Sequence, residues 1–330
     1  MLADKIAHYE DTKQKLNNTP AQYKPEFEWL REVDSLALAN AQLNLQTAYN
    51  NFFRDKKVGF PKFKSRKRNK NSYTTNNQSG TVSIIDGRLR LPKAGHVKMQ
   101  QHRQIPDSHK IKSATISMTP TGKYYVAILT EYEFTPPTLT LSKDKAIGLD
   151  YASDGFYVDN QNRKADYPKF YRTALNKLTR EQRKLSNMKR GSSNYHKQKL
   201  KVAAVHEYTS NQRKDWLHKE STKLANEYDY ICVEDINMRA MSQGLKLGKS
   251  TMDNGFGMFR DMLAYKVLEQ GKSLIKIDKW FPSSKLCRHC GTINSELKLS
   301  ERTWECSCGA VLDRDENAAI NILNAGLAVA

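Results

Sequence analysis

The chain has 330 residues, enough for two or three domains, and it carries 54 Lys and Arg against 35 Asp and Glu, a formal net charge of +19. This surplus indicates a polyanionic partner, most often a nucleic acid. Two observations argue against a membrane: the mean hydropathy is −0.73, and no apolar run approaches the ~18 residues of a spanning helix. The N-terminus has no signal-peptide pattern, and five cysteines, four of them paired at ligand spacing, are typical of a reducing compartment.

The first part of the chain, up to about residue 53, predicts helices, because the apolar residues between Leu36 and Phe52 recur three and four positions apart. This stripe is expected to face a core. Residues 54–70 then hold nine Lys and Arg and one acid, with aromatic side chains interleaved. Such a run is usually a solvated surface, but the aromatic residues also favour nucleic-acid contact. The candidate binding residues are Lys62, Lys64, Arg66, Lys67 and Arg68.

Residues 80–135 predict β-structure, as a small barrel or an open sheet. The pattern has an Asp-Gly turn at Asp86 and a Thr-Gly turn at Thr121, each between alternating strands. Residues 135–144, rich in Pro and Thr, predict a linker to a second body.

The second body begins with an apolar run at 146–149, which predicts a buried strand followed by Asp150. Residues 167–226 predict long helices broken into a hairpin at 191–194. Within them, residues 172–224 hold fourteen Lys and Arg and four acids, a net charge of +10. This hairpin is a second candidate nucleic-acid surface, with Arg183, Lys184, Lys189 and Arg190 as binding residues. Further strands are predicted at 228–235, ending at Glu234 and Asp235, and at 273–278, before a final helix with Gly326 as its C-cap.

Two cysteine pairs near the C-terminus predict a structural zinc site. Cys287 and Cys290 form one pair, and Cys306 and Cys308 form the other, so each tight turn supplies two thiolates to a tetrahedral ion. The second pair has a spacer one residue shorter than usual, and His289 is an alternative ligand. Cys232 lies in the middle of a predicted strand and reads as a small buried hydrophobe.

Three acids, Asp150, Glu234 and Asp315, fall at the ends of apolar elements that an open mixed sheet could bring together. Carboxylates held close repel one another unless a divalent cation neutralises them, and Mg²⁺ prefers such oxygen ligands. From physical chemistry alone each acid is more often a cap or a surface carboxylate. Asp313 illustrates the alternative, because it could cap the final helix and leave Asp315 as the ligand.

Four motifs in a fixed order carry a family resemblance: GLDYASDGFYVDN, YICVEDINM, KWFPSSKLCRHCG and CSCGAVLDRDENAAINI. With NNFFRDKKVGFPKFKSR, they resemble the TnpB (OrfB) proteins of bacterial insertion sequences, relatives of the type V CRISPR effectors. The resemblance implies a multidomain α/β fold containing an RNase H-like (RuvC) nuclease domain. Its catalytic acids would be Asp150, Glu234 and Asp315. The implied domains are a helical recognition segment at 1–65, a β-barrel wedge at 66–142, the nuclease domain at 143–280 and 310–330, and an inserted zinc ribbon at 281–309.

The function that the resemblance implies is RNA-guided, Mg²⁺-dependent cleavage of DNA. The expected partners are a guide RNA derived from the transposon end and a double-stranded DNA target, in the bacterial cytoplasm at the nucleoid. The oligomeric state stays open, with a monomer as the working expectation. The family also has a strand and the start of a helix before MLADKIAHYEDTK, so roughly thirty residues are expected to be lacking. The alternatives are a guide-dependent DNA binder that does not cut and a DNA-strand transferase, for which no nucleophilic tyrosine setting is evident.

Overall fold

The chain packs as two units, Met1–Phe134 and Thr135–Ala330. The structure is a computed structural model and describes residues 1–63, 71–244, 248, 253–298 and 300–330. The helices of the first unit are α1 (Leu2–Thr12) and α2 (Ser35–Arg54), with 3₁₀ turns at Pro20–Tyr23, Glu28–Arg31 and Lys56–Val58.

Helix α2 is confirmed, but its apolar stripe is less buried than predicted. Its N-terminus is capped by Asp34, whose carboxylate accepts from the Leu36 backbone N–H at 3.0 Å. Asn40 donates to the Thr74 carbonyl at 3.0 Å, which joins the helix to the adjacent strand. No described residue of α2 is fully buried, and Leu43 is 58% exposed. Helix α2 therefore contacts the neighbouring strand through a narrow face, and most of its surface stays accessible to solvent.

The first unit contains two three-stranded antiparallel sheets, hydrogen-bonded in the orders β1-β5-β6 and β2-β3-β4. The strands are β1 (Asn71–Asn76), β2 (Ser83–Ile85), β3 (Arg88–Leu91), β4 (Gly95–Lys98), β5 (Lys110–Met118) and β6 (Tyr124–Glu131). Both predicted turns are confirmed, because Asp86 and Gly87 both have positive φ between β2 and β3, and Gly122 does between β5 and β6. Val82, Leu89 and Ala114 bury a core common to both sheets. A closed barrel stays a prediction.

The second unit is built on a four-stranded mixed sheet in the order β10-β9-β7-β8. Strands β7, β9 and β10 are parallel, and β8 is antiparallel to β7. The strands of this sheet are β7 (Ala146–Tyr151), β8 (Tyr157–Asp159), β9 (Tyr230–Glu234) and β10 (Ser273–Ile277). The second unit also has a two-stranded sheet of β11 (Thr303–Glu305) and β12 (Val311–Asp313). The helices of the second unit are α3 (Phe170–Ser186), α4 (Ser193–Glu227), α5 (Met238–Gly244), α6 (Phe256–Glu269) and α7 (Arg314–Ala328), with a 3₁₀ turn at Lys143–Lys145. The predicted strands and the hairpin break before α4 are confirmed.

Alternation along β7 and β9 places a different core on each face of this sheet. Ile147, Leu149, Ile231 and Val233 face one side, where they pack with residues of α4 and α6. Phe156 lies at the centre of that cluster and contacts several aromatic rings. The other face carries the intervening positions of the same strands, and α7 covers it.

Two glycines allow α7 to lie against the sheet. A Cβ on Gly148 of β7 would lie 2.2 Å from the Ala319 carbonyl oxygen, and one on Gly326 would lie 2.3 Å from the sulfur of buried Cys232. The prediction that Gly326 caps the final helix is wrong, because α7 continues to Ala328. Gly326 is instead required by close packing. The prediction of Cys232 as a small buried hydrophobe is confirmed, since it is fully buried.

Gly148→Ala should destabilise the second unit by about 1–3 kcal/mol or more, because the new methyl group has no room against the backbone of α7. Gly155→Ala is the matched control, since its Cβ would lie at an ordinary 3.7 Å from the Ala152 Cβ. Chemical denaturation of both variants measures the difference. Equal stability of the two would show that α7 does not pack as closely as the structure describes.

Candidate functional site

Two of the three predicted catalytic acids occupy adjacent strands of the mixed sheet. Leu149 pairs with Val233 in the parallel ladder, so Asp150 and Glu234 are the next positions on β7 and β9. Asp150 and Glu234 come two residues after Gly148 and Cys232 on the same strands. Side chains two residues apart share a face, so both acids lie on the face that α7 covers. The strand ends thus bring these two carboxylates together.

Helix α7 supplies the third acid. Gly148 lies under Ala319, and Asp315 is one helical turn before Ala319, toward the same end of the sheet as Asp150. Asp313 is the N-cap of α7, because its carboxylate accepts from the backbone N–H groups of Asp315 and Glu316 at 3.0 and 2.9 Å. The Asp315 side chain is left for other partners, as the sequence indicated.

The electrostatics of Asp150 reflect this crowding. Burial raises the pKa of its carboxyl well above the usual range, and the negative charges of Glu234 and Asp315 raise it further, against a smaller opposing effect of Arg314. Burial also raises the pKa of Glu234, and a hydrogen bond from the Ser283 hydroxyl partly offsets this. The site therefore concentrates negative charge where solvation is poor, which is the setting that favours a bound cation.

A basic side chain contacts the third acid. Arg302 donates to both carboxylate oxygens of Asp315, at 3.1 and 3.2 Å. Among the described residues, the four cysteines are the only group of three or more potential ligands placed to hold a metal ion, so the three carboxylates as they stand do not form such a group. The guanidinium of Arg302 balances the Asp315 charge in this arrangement.

Several residues that support the site were missed from the sequence. Asn317 and Asn321, buried one turn apart on α7, both donate to the Leu286 carbonyl, and Asn321 also donates to the Ser283 carbonyl. Arg260 of α6 donates to the Glu234 carbonyl at the end of β9, at 2.9 Å. Two amides four residues apart in the apolar run NAAIN were the available signal, since buried amides need partners.

The four predicted zinc cysteines converge. Their sulfur atoms all lie within 4.8 Å of one another, with Cys287 and Cys308 3.8 Å apart and Cys290 and Cys306 3.5 Å apart. Four sulfurs about 2.3 Å from one tetrahedral ion would lie about 3.8 Å apart, so the geometry fits zinc. The hydroxyl and backbone of Thr292 lower the pKa of the Cys290 thiol to about 6, which favours the metal-binding thiolate.

The cysteines belong to a small ribbon that leads directly into α7. Strands β11 and β12 pair antiparallel, and Trp304, Leu297 and Leu312 form a core with the two buried cysteines. The short Cys306–Cys308 spacer is accommodated by Gly309, whose φ of 83° closes the turn. Strand β12 ends at Asp313, the cap of α7, and Arg302 immediately precedes β11. His289 is exposed and lies outside the cysteine group.

The predicted nucleic-acid residues are solvent-facing where the structure describes them. Arg183 and Lys184 lie in the last turn of α3, and Lys189 and Arg190 lie in the turn before α4, all exposed. Buried Glu181 holds this hairpin together, because it accepts from Gln198 of α4 at 2.8 Å. Of the earlier basic run, Lys62 is exposed, while Lys64, Arg66, Lys67 and Arg68 lie outside the described residues. Within the described part of the chain, no helix is long and apolar enough to cross a membrane.

Comparison with known proteins gives concordant matches. The family model described as "Probable transposase" matches residues 129–244, and the model described as "Cas12f1-like, TNB domain" matches residues 256–322. A Streptomyces pristinaespiralis protein named "Putative RNA-guided DNA endonuclease" is 38% identical over 92% of this chain and 74% of its own length. The Escherichia coli K12 protein named "Putative RNA-guided DNA endonuclease InsQ" is 32% identical, over 92% of this chain and 77% of its own.

The solved structures include a similar fold. A Cas12f1 chain, from a cryo-EM structure of a Cas12f1–sgRNA–target DNA complex, matches with a TM-score of 0.60 and 12% identity, over 98% of this chain and 79% of its own. The α/β architecture of this chain is thus similar to that of the Cas12f1 chain. The chain belongs to the TnpB (OrfB) family of transposon-encoded RNA-guided nucleases, as the four motifs predict.

Proposed function

We propose that this protein is an RNA-guided DNA endonuclease that cleaves phosphodiester bonds with Mg²⁺ at a RuvC-type site. The observation that carries the proposal is the convergence of Asp150, Glu234 and Asp315 from β7, β9 and α7. The relatives' names support the same activity. In this assignment residues 143–280 and 310–330 form the nuclease domain, and residues 66–142 form the wedge domain.

The residues at the strand ends fit Mg²⁺. All three side chains offer carboxylate oxygens. Burial raises the pKa of Asp150, the charges of Glu234 and Asp315 raise it further, and a divalent cation would relieve that repulsion. When bound, Mg²⁺ supplies charge stabilisation and an activated water for in-line displacement at phosphorus. Asp150 and Glu234 would hold the cation from the sheet, and Asp315 would hold it from α7. Ser283 orients the Glu234 carboxylate, and Arg302 holds that of Asp315.

Zinc has a structural role in this proposal. The four cysteines would bind one ion that fixes the ribbon, and through β12 the ribbon sets the position of the first turn of α7. Since all four protein ligands are thiolates, the ion would have no open position for substrate.

The proposed partners are a guide RNA derived from the transposon end and a double-stranded DNA target. The surplus of positive charge supports a polyanionic partner, and the exposed basic hairpin of α3 and α4 offers phosphate contacts. We place the protein in the bacterial cytoplasm, at the nucleoid. Sequencing the RNA that co-purifies with the protein tests the guide. RNA of random origin would contradict it.

Replacing Arg183, Lys184, Lys189 and Arg190 together with Ala should weaken nucleic-acid binding and flatten its salt dependence. The slope of log K against log salt concentration is negative, and its magnitude should decrease by about 0.9 for each duplex phosphate contact that is lost. Lys112→Ala is the control, because this exposed lysine of β5 is paired with Glu131 at 3.1 Å and lies outside both basic surfaces. Binding titrations across salt concentrations make the measurement. Unchanged affinity and slope in the quadruple variant would identify the hairpin as a solvated surface only.

A second candidate function is guide-dependent DNA binding without cleavage. The observation that favours it is the spacing of the carboxylates, with Asp315 held by Arg302. A comparison of target binding with target cleavage by the same protein–RNA complex distinguishes the two functions.

A further inference from the structure

Trp280 is a large apolar side chain that the fold exposes. It is 80% exposed, the highest value among the large hydrophobic side chains that the structure describes as exposed. Tryptophan is highly buried on average in folded proteins, so its exposure at a fixed position makes Trp280 a candidate contact residue. The roles proposed above for the carboxylates and the cysteines make no use of it.

The backbone around Trp280 is held in place. The Trp280 N–H donates to the Asp278 carboxylate at 2.6 Å, and the Phe281 N–H donates to the Asp278 carbonyl at 3.1 Å. Phe281 packs on the cluster of Cys232, Ile277 and Ile322 beneath α7. Because its neighbour is anchored inward and its own amide is fixed, Trp280 projects outward from a tight turn.

Trp280 is also tied to the carboxylate site. Three residues before it, Ile277 pairs with Glu234 in the parallel ladder. Three residues after it, Ser283 donates to the Glu234 side chain. Three residues span at most about 10 Å, so the Trp280 Cα lies within about 10 Å of the Cα atoms of Ile277 and Ser283, the two residues that contact Glu234. Lys279 adds a positive charge, with its Nζ 5.0 Å from the centre of the Trp280 ring.

We propose that Trp280 is a stacking platform for one unpaired nucleobase of the DNA strand that enters the carboxylate site, with Lys279 contacting the adjacent phosphate. The inference rests on the proposed function. A base within a duplex has both faces covered by its neighbours, whereas an unpaired base offers a free face to an indole. Since every base has such a face, the platform is sequence-tolerant. A nucleotide carries its phosphate and its base next to each other, just as Lys279 and Trp280 are neighbours here.

The test is binding of an oligothymidylate to the full chain with its bound RNA, in buffer without Mg²⁺ so that no cleavage intervenes and the zinc is kept. Trp280→Ala should weaken the Kd by about 5- to 150-fold, the range for loss of one stacked base, with the salt slope unchanged. Trp280→Phe should retain most of the affinity while losing the fluorescence quenching that the oligonucleotide causes in the wild type. Lys279→Ala should instead lower the salt slope by about 0.7. Tyr265→Ala is the control, since this aromatic side chain of α6 is 42% exposed and lies outside both basic surfaces.

An unchanged Kd in Trp280→Ala, with equal quenching in the wild type and Trp280→Phe, would overturn the platform. A fall in affinity accompanied by a lower thermal stability, with quenching intact in Trp280→Phe, would also overturn it, because the effect would then be structural. The outcome is separate from that for the proposed function. Stacking by a protein that does not cleave would contradict the endonuclease alone, and cleavage with an unchanged Kd in Trp280→Ala would contradict the platform alone.

Discussion

Asp150→Asn should reduce DNA cleavage by at least about 100-fold, the scale for losing one group that stabilises transition-state charge. The amide keeps the shape of the side chain but removes the negative charge at the centre of the three carboxylates. Guide and target binding should be unchanged, because Asp150 is proposed as a metal ligand and makes no phosphate contact. A Mg²⁺-dependent cleavage assay beside a binding assay measures both. Undiminished cutting by the variant would refute the site.

The same variant should be more stable than the wild type in buffer without Mg²⁺ at neutral pH. In the folded protein, burial and the neighbouring Glu234 and Asp315 raise the pKa of Asp150 above its value in the unfolded chain. The folded state thus binds more protons, and wild-type stability falls as pH rises from the ordinary Asp range through the raised pKa. Asn carries no charge at any pH.

Thermal unfolding in buffer without Mg²⁺, across pH, checks this second effect of Asp150→Asn. The Tm advantage of the variant should grow as pH rises and vanish in acid, where the wild-type carboxyl is protonated in both states. Added Mg²⁺ should raise the wild-type Tm and leave that of the variant nearly unchanged, since a ligand stabilises the state that binds it. A wild type that is the more stable protein at neutral pH without Mg²⁺ would show that burial and the neighbouring carboxylates do not raise the pKa of Asp150.

Cys290→Ser should abolish stoichiometric zinc binding and unfold the ribbon. A structural zinc site contributes on the order of 10 kcal/mol to the folding of a small module, and the ribbon core around Trp304 and Leu312 is too small to replace it. Because β12 ends at the cap of α7, the loss should spread to Asp315 and reduce cleavage as well. Zinc content, hydrogen exchange over residues 281–313 and the cleavage rate are the measurements.

His289→Ala is the matched control for the zinc site. His289 lies between the first two cysteines but outside the sulfur cluster, so this variant should keep its zinc and its activity. If His289→Ala lost its zinc, the result would show that the His289 imidazole is a zinc ligand in place of one of the cysteines. Purified wild type without zinc would contradict the site as a whole.

The sequence predicted the framework of the site because its signals are local. An apolar run before Asp150, another before Glu234 and two cysteine pairs each mark one short segment, and each segment folds as expected. The resemblance to the TnpB family then linked these segments, which periodicity alone could not do. The final helix was predicted as well, although its end was misplaced.

The errors and omissions have a common physical origin in contacts between distant segments. Gly326 reads as a cap from its neighbours alone, yet its position is set by Cys232, far away in sequence. Arg302 and Ser283 gain their partners Asp315 and Glu234 only in the folded chain. The carbonyl partners of the buried asparagines in α7 are likewise a property of packing, so no local pattern could have identified them.

The most direct test of the central proposal is cleavage of plasmid DNA by the purified protein–RNA complex. The plasmid carries a target complementary to the co-purified RNA beside a randomised flanking sequence, and its partner carries a scrambled target. We predict Mg²⁺-dependent cutting of the matched plasmid alone, at a subset of flanking sequences, and no cutting in EDTA. Cutting that ignores the match, or matched binding with no cutting in Mg²⁺, would contradict an RNA-guided endonuclease.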